Sequence, residues 1–312
     1  MGNLKIKGKD LLKLGYPNNQ SVNIALEVMK RNFSTKNIHH VKSILKEILM
    51  NPKDFENDLT FGQIAEALIN SNKTEKRMLL ANRVPFKIFG TDISDEAKNQ
   101  LYTGLKLPIS VQGALMPDAH SGYGLPIGGV LAVENAVIPY AVGMDIGCRM
   151  SLSILDTPIS YLNGAKDKYE KALAENTKFG MNEVHKSVYD HEIFDSETFD
   201  LIPILKRLKG KAIKQLGSSG GGNHFVEFGE VEITEEDSQI NLPKGKYLGI
   251  LSHSGSRGFG AEIAQYYSRM ATEQCPLPKE AQNFAWLDLD SHLGLEYWTA
   301  MNLAGDYAKA CH

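Results

Sequence analysis

The sequence predicts an α+β fold, or an irregular α/β layering with mixed sheets, preceded by a small helical segment. Two observations carry this. Residues 1–75 place apolar side chains at helical spacing, and from about residue 80 short β-branched runs of strand length appear. Helical patterns fall between and after those runs without a regular βαβα alternation, which disfavours a doubly wound sheet.

Taken in order, Ile38, Val41, Ile44, Leu45, Ile48 and Leu49 recur at three-and-four spacing behind Ser34, a suitable N-cap. Phe61, Ile64, Ala65 and Leu68 repeat the pattern after Thr60. The polar run 70–77 reads as a connector. The domain reading is therefore a helical extension over 1–75 and a larger α+β domain over 80–312. Strand-like runs occupy 128–133, 136–142, 149–155, 224–231 and 246–253. Helical patterns occupy 164–175, 260–273 and 294–311. The last of these, striped by Tyr297, Met301, Ala304 and Ala308, runs into His312 without a glycine cap or a proline stop. Such an ending is expected of a truncated chain as much as of a natural terminal helix.

Composition narrows the class. At 312 residues, with 42% hydrophobic and 23% charged residues, the chain has the make-up of a soluble globular protein. A net charge of −3 argues against bulk electrostatic capture of nucleic acid, though a local basic groove is compatible with it. Cys148, Cys275 and Cys311 form no CxxC pair and no even framework, which points to a reducing compartment. The polar start MGNLKIKGKD is no signal peptide, and no run approaches the roughly 20 apolar residues of a membrane span. A cytoplasmic protein is expected.

The chemistry is concentrated in three glycine-rich segments: VGMDIGCRM (142–150), GSSGGGNHF (217–225) and HSGSRGFG (253–260). Asp145 lies amid apolar sequence, where a carboxylate needs a cation or several donors. Cys148, three residues on, is a candidate thiolate. Otherwise the pair reads as a turn residue and an inert buried thiol. His224 follows a triple glycine whose N–H groups suit an anion. His253 ends an apolar strand, and a Gly-Ser loop then opens a helix whose free N–H groups would face an anion, with Arg257 as a phosphate fork. The plainer reading of that last segment is a capped helix with a solvated arginine. Asp145, Cys148, His224 and His253 together supply the donors of a divalent metal site. His120, in MPDAHSGYG, reads equally as a site residue or a structural one. Lys206, Arg207, Lys209, Lys211 and Lys214 form a basic stretch that reads as a solvated helix face or a polyanion contact.

These motifs resemble the RtcB family of RNA-splicing ligases. The resemblance rests on ALMPDAHSGYGLPIGGV (114–130), AVIPYAVGMDIGCRM (136–150), GSSGGGNHFVEF (217–228) and LSHSGSRGFG (251–260), and it covers roughly residues 80–312. It implies an RtcB-like fold with mixed sheets around a metal site. It implies a two-metal, manganese-dependent, GTP-consuming ligase that joins an RNA 3′-phosphate or 2′,3′-cyclic phosphate to a 5′-hydroxyl through a histidine–GMP adduct. By position, Asp145 and His224 would hold one metal, His253 the other, and Cys148 would bridge them. Asn223, Phe225 and Glu227 would serve the nucleotide, and Arg257 and, more loosely, Lys211 would bind RNA phosphate. The thiolate alone would favour zinc, with cobalt also possible, so manganese comes from the resemblance only.

The resemblance also marks a departure. The family's further metal histidine and its guanylylated histidine lie in C-terminal segments, and neither His292 nor His312 sits in a matching motif. A 312-residue chain lacking the nucleophile is expected neither to form the adduct nor to ligate. A metal-dependent phosphoesterase or nuclease, and a non-catalytic metal- and RNA-binding remnant, stand as alternatives.

Overall fold

The computed structural model describes residues 6–17, 20–33, 38–72, 77–186, 189–235 and 242–312. Ser34 lies outside them. In chain order the elements begin with four helices, α1 (Gly8–Leu14), α2 (Gln20–Asn32), α3 (Ile38–Met50) and α4 (Gly62–Asn72). Then come β1 (Phe86–Ile88), α5 (Asp95–Gly104), β2 (Ser110–His120), β3 (Ile127–Val133), β4 (Ala136–Val137) and α6 (Pro139–Val142). They continue with β5 (Arg149–Leu155), α7 (Ser160–Gly164), α8 (Lys166–Asn176), α9 (Thr198–Leu201) and α10 (Pro203–Gln215). The chain closes with β6 (Phe225–Ile233), β7 (Gly245–Ser254), α11 (Arg257–Gln274), β8 (Leu287–Asp288) and α12 (His292–Ala310).

The chain divides into two compact units, Met1–Ala141 with Ser268–Leu287, and Val142–Tyr267 with Asp288–His312. Within the first, α1 to α4 enclose a core of their own, in which Leu11, Met29, Leu45, Ile48 and Ile64 are fully buried. Gly15 closes α1 at φ +100°, a left-handed cap that a glycine adopts without steric cost. Tyr16 then ties α1 to α3 by donating its hydroxyl to the Leu45 carbonyl at 2.8 Å. Further on, β1 pairs parallel to β2 and β2 antiparallel to β3, forming a mixed sheet. Helix α5 packs its Ala97 and Leu101 against Leu115 and Ala119 of β2.

The second unit is built on an antiparallel sheet of order β5-β7-β6. Its register sets Met150, His253 and Phe225 side by side, and Leu152, Leu251 and Glu227 two residues further on. Phe228, on the opposite face, meets Tyr169 of α8 edge-on at 4.9 Å. Phe199, Phe259 and Tyr307 join α9, α11 and α12, with ring centroids 5.7 and 5.1 Å apart. The Tyr307 hydroxyl donates to the Ala212 carbonyl of α10 at 2.8 Å.

One strand expectation fails. The run 136–142 is not a strand: pairing stops at Val137, and PYAV forms a helical turn. Pro139 is the reason, since its fixed φ and missing N–H suit the first helical position and cannot extend a ladder. Conversely, β2 runs for eleven residues although Gly113 and Pro117 interrupt its sequence pattern. Gly113 is required there, because a Cβ would stand 2.7 Å from Leu105.

Leu45 is fully buried in the helical core, so Leu45→Ala should destabilise that core by about 2–5 kcal/mol. Urea unfolding followed by circular dichroism should show a lowered midpoint; an unchanged midpoint would contradict the packing described.

Candidate metal centre

The donors arrive from three places in the second unit. Asp145 and Cys148 occupy the turn before β5, where Gly147 takes φ +73° and the Cys148 amide donates to the Asp145 carbonyl at 3.1 Å. His224 immediately precedes β6, and His253 sits near the end of the central strand β7. One donor atom each from Cys148, His224 and His253 lies within 4.8 Å of the other two. Cys148 Sγ stands 3.0 Å from His253 Nε2 and 3.6 Å from His224 Nε2. Asp145 Oδ2 stands 2.8 Å from His224 Nε2.

The other ring nitrogens define the tautomers. His253 Nδ1 faces the Asn223 carbonyl at 3.0 Å, and His224 Nδ1 faces the Ser219 carbonyl. A carbonyl oxygen only accepts, so each Nδ1 carries a proton, and in the neutral ring Nε2 presents a lone pair. Two imidazole Nε2 atoms, a carboxylate oxygen and a sulfur therefore converge. This is the arrangement a cation relieves. Imidazoles held through their far N–H by backbone carbonyls are typical of metal ligands.

Asp145 is oriented by the start of α11. Its Oδ1 accepts from the Ser256 amide at 3.0 Å, and the Gly258 amide donates to Gln215 Oε1 at 3.1 Å. Two of the N–H donors expected at this helix start therefore hold protein acceptors. Burial first, then the hydrogen bond and charge of Asp145, push the Cys148 thiol up to about 12. The metal-free cysteine is a thiol, and a cation must displace its proton to bind sulfur.

Around this cluster, Phe225 meets the His253 ring edge-on at 5.6 Å, and Glu227 lies exposed two residues further along β6. Asn223 is exposed and approaches the site through its carbonyl. Arg257 is only 8% exposed and adopts φ +56°, a sparsely populated region for a side chain larger than glycine. Its guanidinium donates to Ser218 Oγ at 3.0 Å and to the Gly180 carbonyl at 2.8 Å. Those bonds brace the triple-glycine loop, which is also stitched by the Ser219 amide donating to the Lys178 carbonyl at 2.8 Å. Gly220, at φ +92°, leaves room for the Arg257 guanidinium, which a Cβ would strike. Lys211, on α10, pairs with Glu262 at 2.7 Å. His120 belongs to the first unit, where its Nδ1 contacts the Asp118 carbonyl at 2.9 Å.

Sequence reasoning overlooked Ser219 and Ser256, which act through main-chain atoms that carry no side-chain signal. It also set aside His312, whose Nδ1 lies 2.7 Å from Ser252 Oγ on β7. Burial first, then the nearby Arg149, His253 and His224, hold the His312 pKa below the ordinary imidazole value.

An α+β unit with converging His, Cys and Asp donors defines the class as a candidate metalloprotein, and comparison with known proteins supplies the family. A family model described as tRNA-splicing ligase RtcB matches residues 100–202 and 197–312. The chain belongs to the RtcB family. It is 28% identical over 292 residues to RNA-splicing ligase RtcB homolog 1 of Entamoeba histolytica, covering 79% of this chain and 56% of that protein. It is 28% identical over 283 residues to tRNA-splicing ligase RtcB of Thermococcus kodakarensis, covering 76% and 58%. With RNA-splicing ligase RtcB of Escherichia coli K12 it shares 30% identity over 215 residues, covering 63% and 50%. The chain thus spans between half and three fifths of the length of these curated relatives. Among the described residues, no helix is long and apolar enough to cross a membrane.

Two outcomes are expected of this geometry. Because the Cys148 proton must leave, divalent-metal affinity should rise about tenfold per pH unit between pH 6 and 8 on that account, and the proton released is measurable by calorimetry in buffers of differing ionisation enthalpy. Cys148→Ala should remove that component, and an identical slope in the variant would exclude the thiol as a ligand. Gly255→Ala, whose Cβ would land on the Asp145 carboxylate, should weaken metal binding at least tenfold without altering any donor; wild-type affinity would show the carboxylate is not needed where it stands.

Proposed function

We propose that this chain carries the metal-binding and RNA-end-binding portion of an RNA ligase that joins a 3′-phosphate or 2′,3′-cyclic phosphate to a 5′-hydroxyl with GTP and manganese. The observation that carries the reading is the convergence of Cys148, His224 and His253, with Asp145 against His224 and both imidazole Nδ1 atoms committed to backbone carbonyls. Family membership supports the ligase class, and relatives of this family are named as RNA-splicing and tRNA-splicing ligases.

The donor set fits a first-row divalent cation. Bound there, such an ion neutralises charge on phosphate oxygens during an in-line displacement. The chain's own residues do the rest. Asp145, Cys148, His224 and His253 would hold the ion. Ser219, Asn223 and Ser256 would keep those side chains in their binding tautomer and orientation. Phe225, beside His253, and Glu227, exposed further along β6, are assigned to the nucleotide, with Asn223 at the loop edge. Arg257 keeps the loop in shape from within, so in this reading its contact with RNA phosphate requires a guanidinium N–H beyond those given to Ser218 and Gly180. Lys211 would contact phosphate on release from Glu262.

None of the histidines after His253 stands in a motif of the family, so the 312-residue chain is expected to bind metal and RNA ends without joining them. The test is manganese titration of the wild type, His253→Ala and Asp145→Asn, followed by incubation with GTP and RNA ending in a 3′-phosphate. Each variant should bind manganese at least tenfold more weakly, and the wild type should hold 3′-phosphate RNA more tightly with metal than without it. Equal manganese affinity in the variants would refute the centre. Ligated product would refute the expected lack of joining, and GTP-independent release of phosphate would assign a phosphoesterase instead.

A further inference from the structure

The charge of this chain is unevenly placed. Residues 1–50 carry nine Lys and Arg against three Asp and Glu, a net +6, whereas residues 51–312 carry 25 against 34, a net −9. The whole-chain value of −3 conceals this division.

The fold gathers part of the excess onto one side of the N-terminal helices. Helix α1 is tied to α3 at several points: Asp10 pairs with Lys42 at 3.8 Å, Tyr16 bonds the Leu45 carbonyl, and Gly15 abuts Leu49. Lys13 lies one turn beyond Asp10 and Lys46 one turn beyond Lys42, so both continue the side on which the two helices meet. Lys9, one turn before Lys13, is exposed, as are Lys13, Lys46, His39 and His40. Asp10, the carboxylate of α1, is already engaged by Lys42 and by the Lys7 amide at 3.0 Å. Glu47 remains as the acidic side chain of α3. Cations spaced a helical turn apart, with their counter-charge spent, present a field suited to a chain of regularly repeated negative charges.

We infer that the exposed face of α1 and α3, centred on Lys9, Lys13, Lys42 and Lys46, is a second nucleic-acid surface that holds the phosphate backbone of RNA, separate from the metal centre. The choice of RNA among polyanions rests on the ligase reading above. A chain with net −9 over the remaining 262 residues repels RNA at long range, and a basic module offsets that repulsion where it is placed.

The experiment uses the full 312-residue protein and a 30-nucleotide single-stranded RNA with hydroxyls at both ends, in EDTA, so that neither metal nor a terminal phosphate contributes. Fluorescence anisotropy is read across a salt series for the wild type and for the triple variant Lys9→Glu, Lys13→Glu and Lys46→Glu. Lys42 is spared because it pairs with Asp10. The expected result is at least tenfold weaker binding and a salt slope shallower by about 2, the value for three lost phosphate contacts on a single strand. If the glutamate variant fails to fold by circular dichroism, the corresponding Lys→Gln triple variant is read instead. Affinity within twofold and an unchanged slope would overturn the proposal. So would unchanged RNA binding accompanied by lost binding to vesicles containing phosphatidylserine, which would assign the face to a lipid surface. Manganese affinity of the triple variant serves as the internal control: it should equal that of the wild type, so the surface can fail while the metal centre stands, and the reverse.

Discussion

The second unit depends on the antiparallel register of β7 between β5 and β6. With Met150 and Phe225 flanking His253, the start of β5 and the start of β6 reach the same end of the sheet. Cys148 therefore precedes its strand, and His224 precedes its own, both beside His253. Side chains in a strand alternate between faces, so a slip of one residue in β7 would turn His253 away and leave its partners behind. Nothing else in the unit could restore the convergence, because the turn that holds Asp145 is itself anchored to the residues following β7.

Much of this was legible in the chain. The glycine-rich motifs placed all four donors, since an ionisable side chain set among glycines and apolar runs demands a partner. Strands β3, β5, β6 and β7 and helices α8, α11 and α12 fall within a few residues of their apolar periodicities. Other elements escaped. Strand β2 carries a glycine and a proline that punctuate its pattern, yet its residues meet α5 and β3 across long sequence distances. The apolar run 136–142 reads as strand because hydrophobicity alone does not register what Pro139 does to a ladder.

The role of Arg257 shows a second kind of gap. A guanidinium in a Gly-Ser loop invites a phosphate partner on chemical grounds. In the folded chain it is largely enclosed, and burial holds its pKa below the ordinary guanidinium range. Its two observed acceptors belong to the segments it braces. Sequence could reveal the residue but not its depth, because depth comes from Gly220 and Gly180 approaching from elsewhere in the chain. The N-terminal helices make a parallel case: their periodicity announces a bundle, whereas the grouping of their cations emerges only when α1 is laid along α3.

Both imidazoles lean on main-chain oxygens, those of Ser219 and Asn223. Trimming either side chain to alanine would leave these oxygens where they are, so the polar residues of the loop are the tolerant ones. Vulnerability passes instead to the residues with no side chain at all. Gly220 and Gly222, at φ +92° and +74°, set the path that delivers the oxygens, and a methyl group added at either would strain that path; at Gly220 it would also crowd Arg257 and the His224 ring.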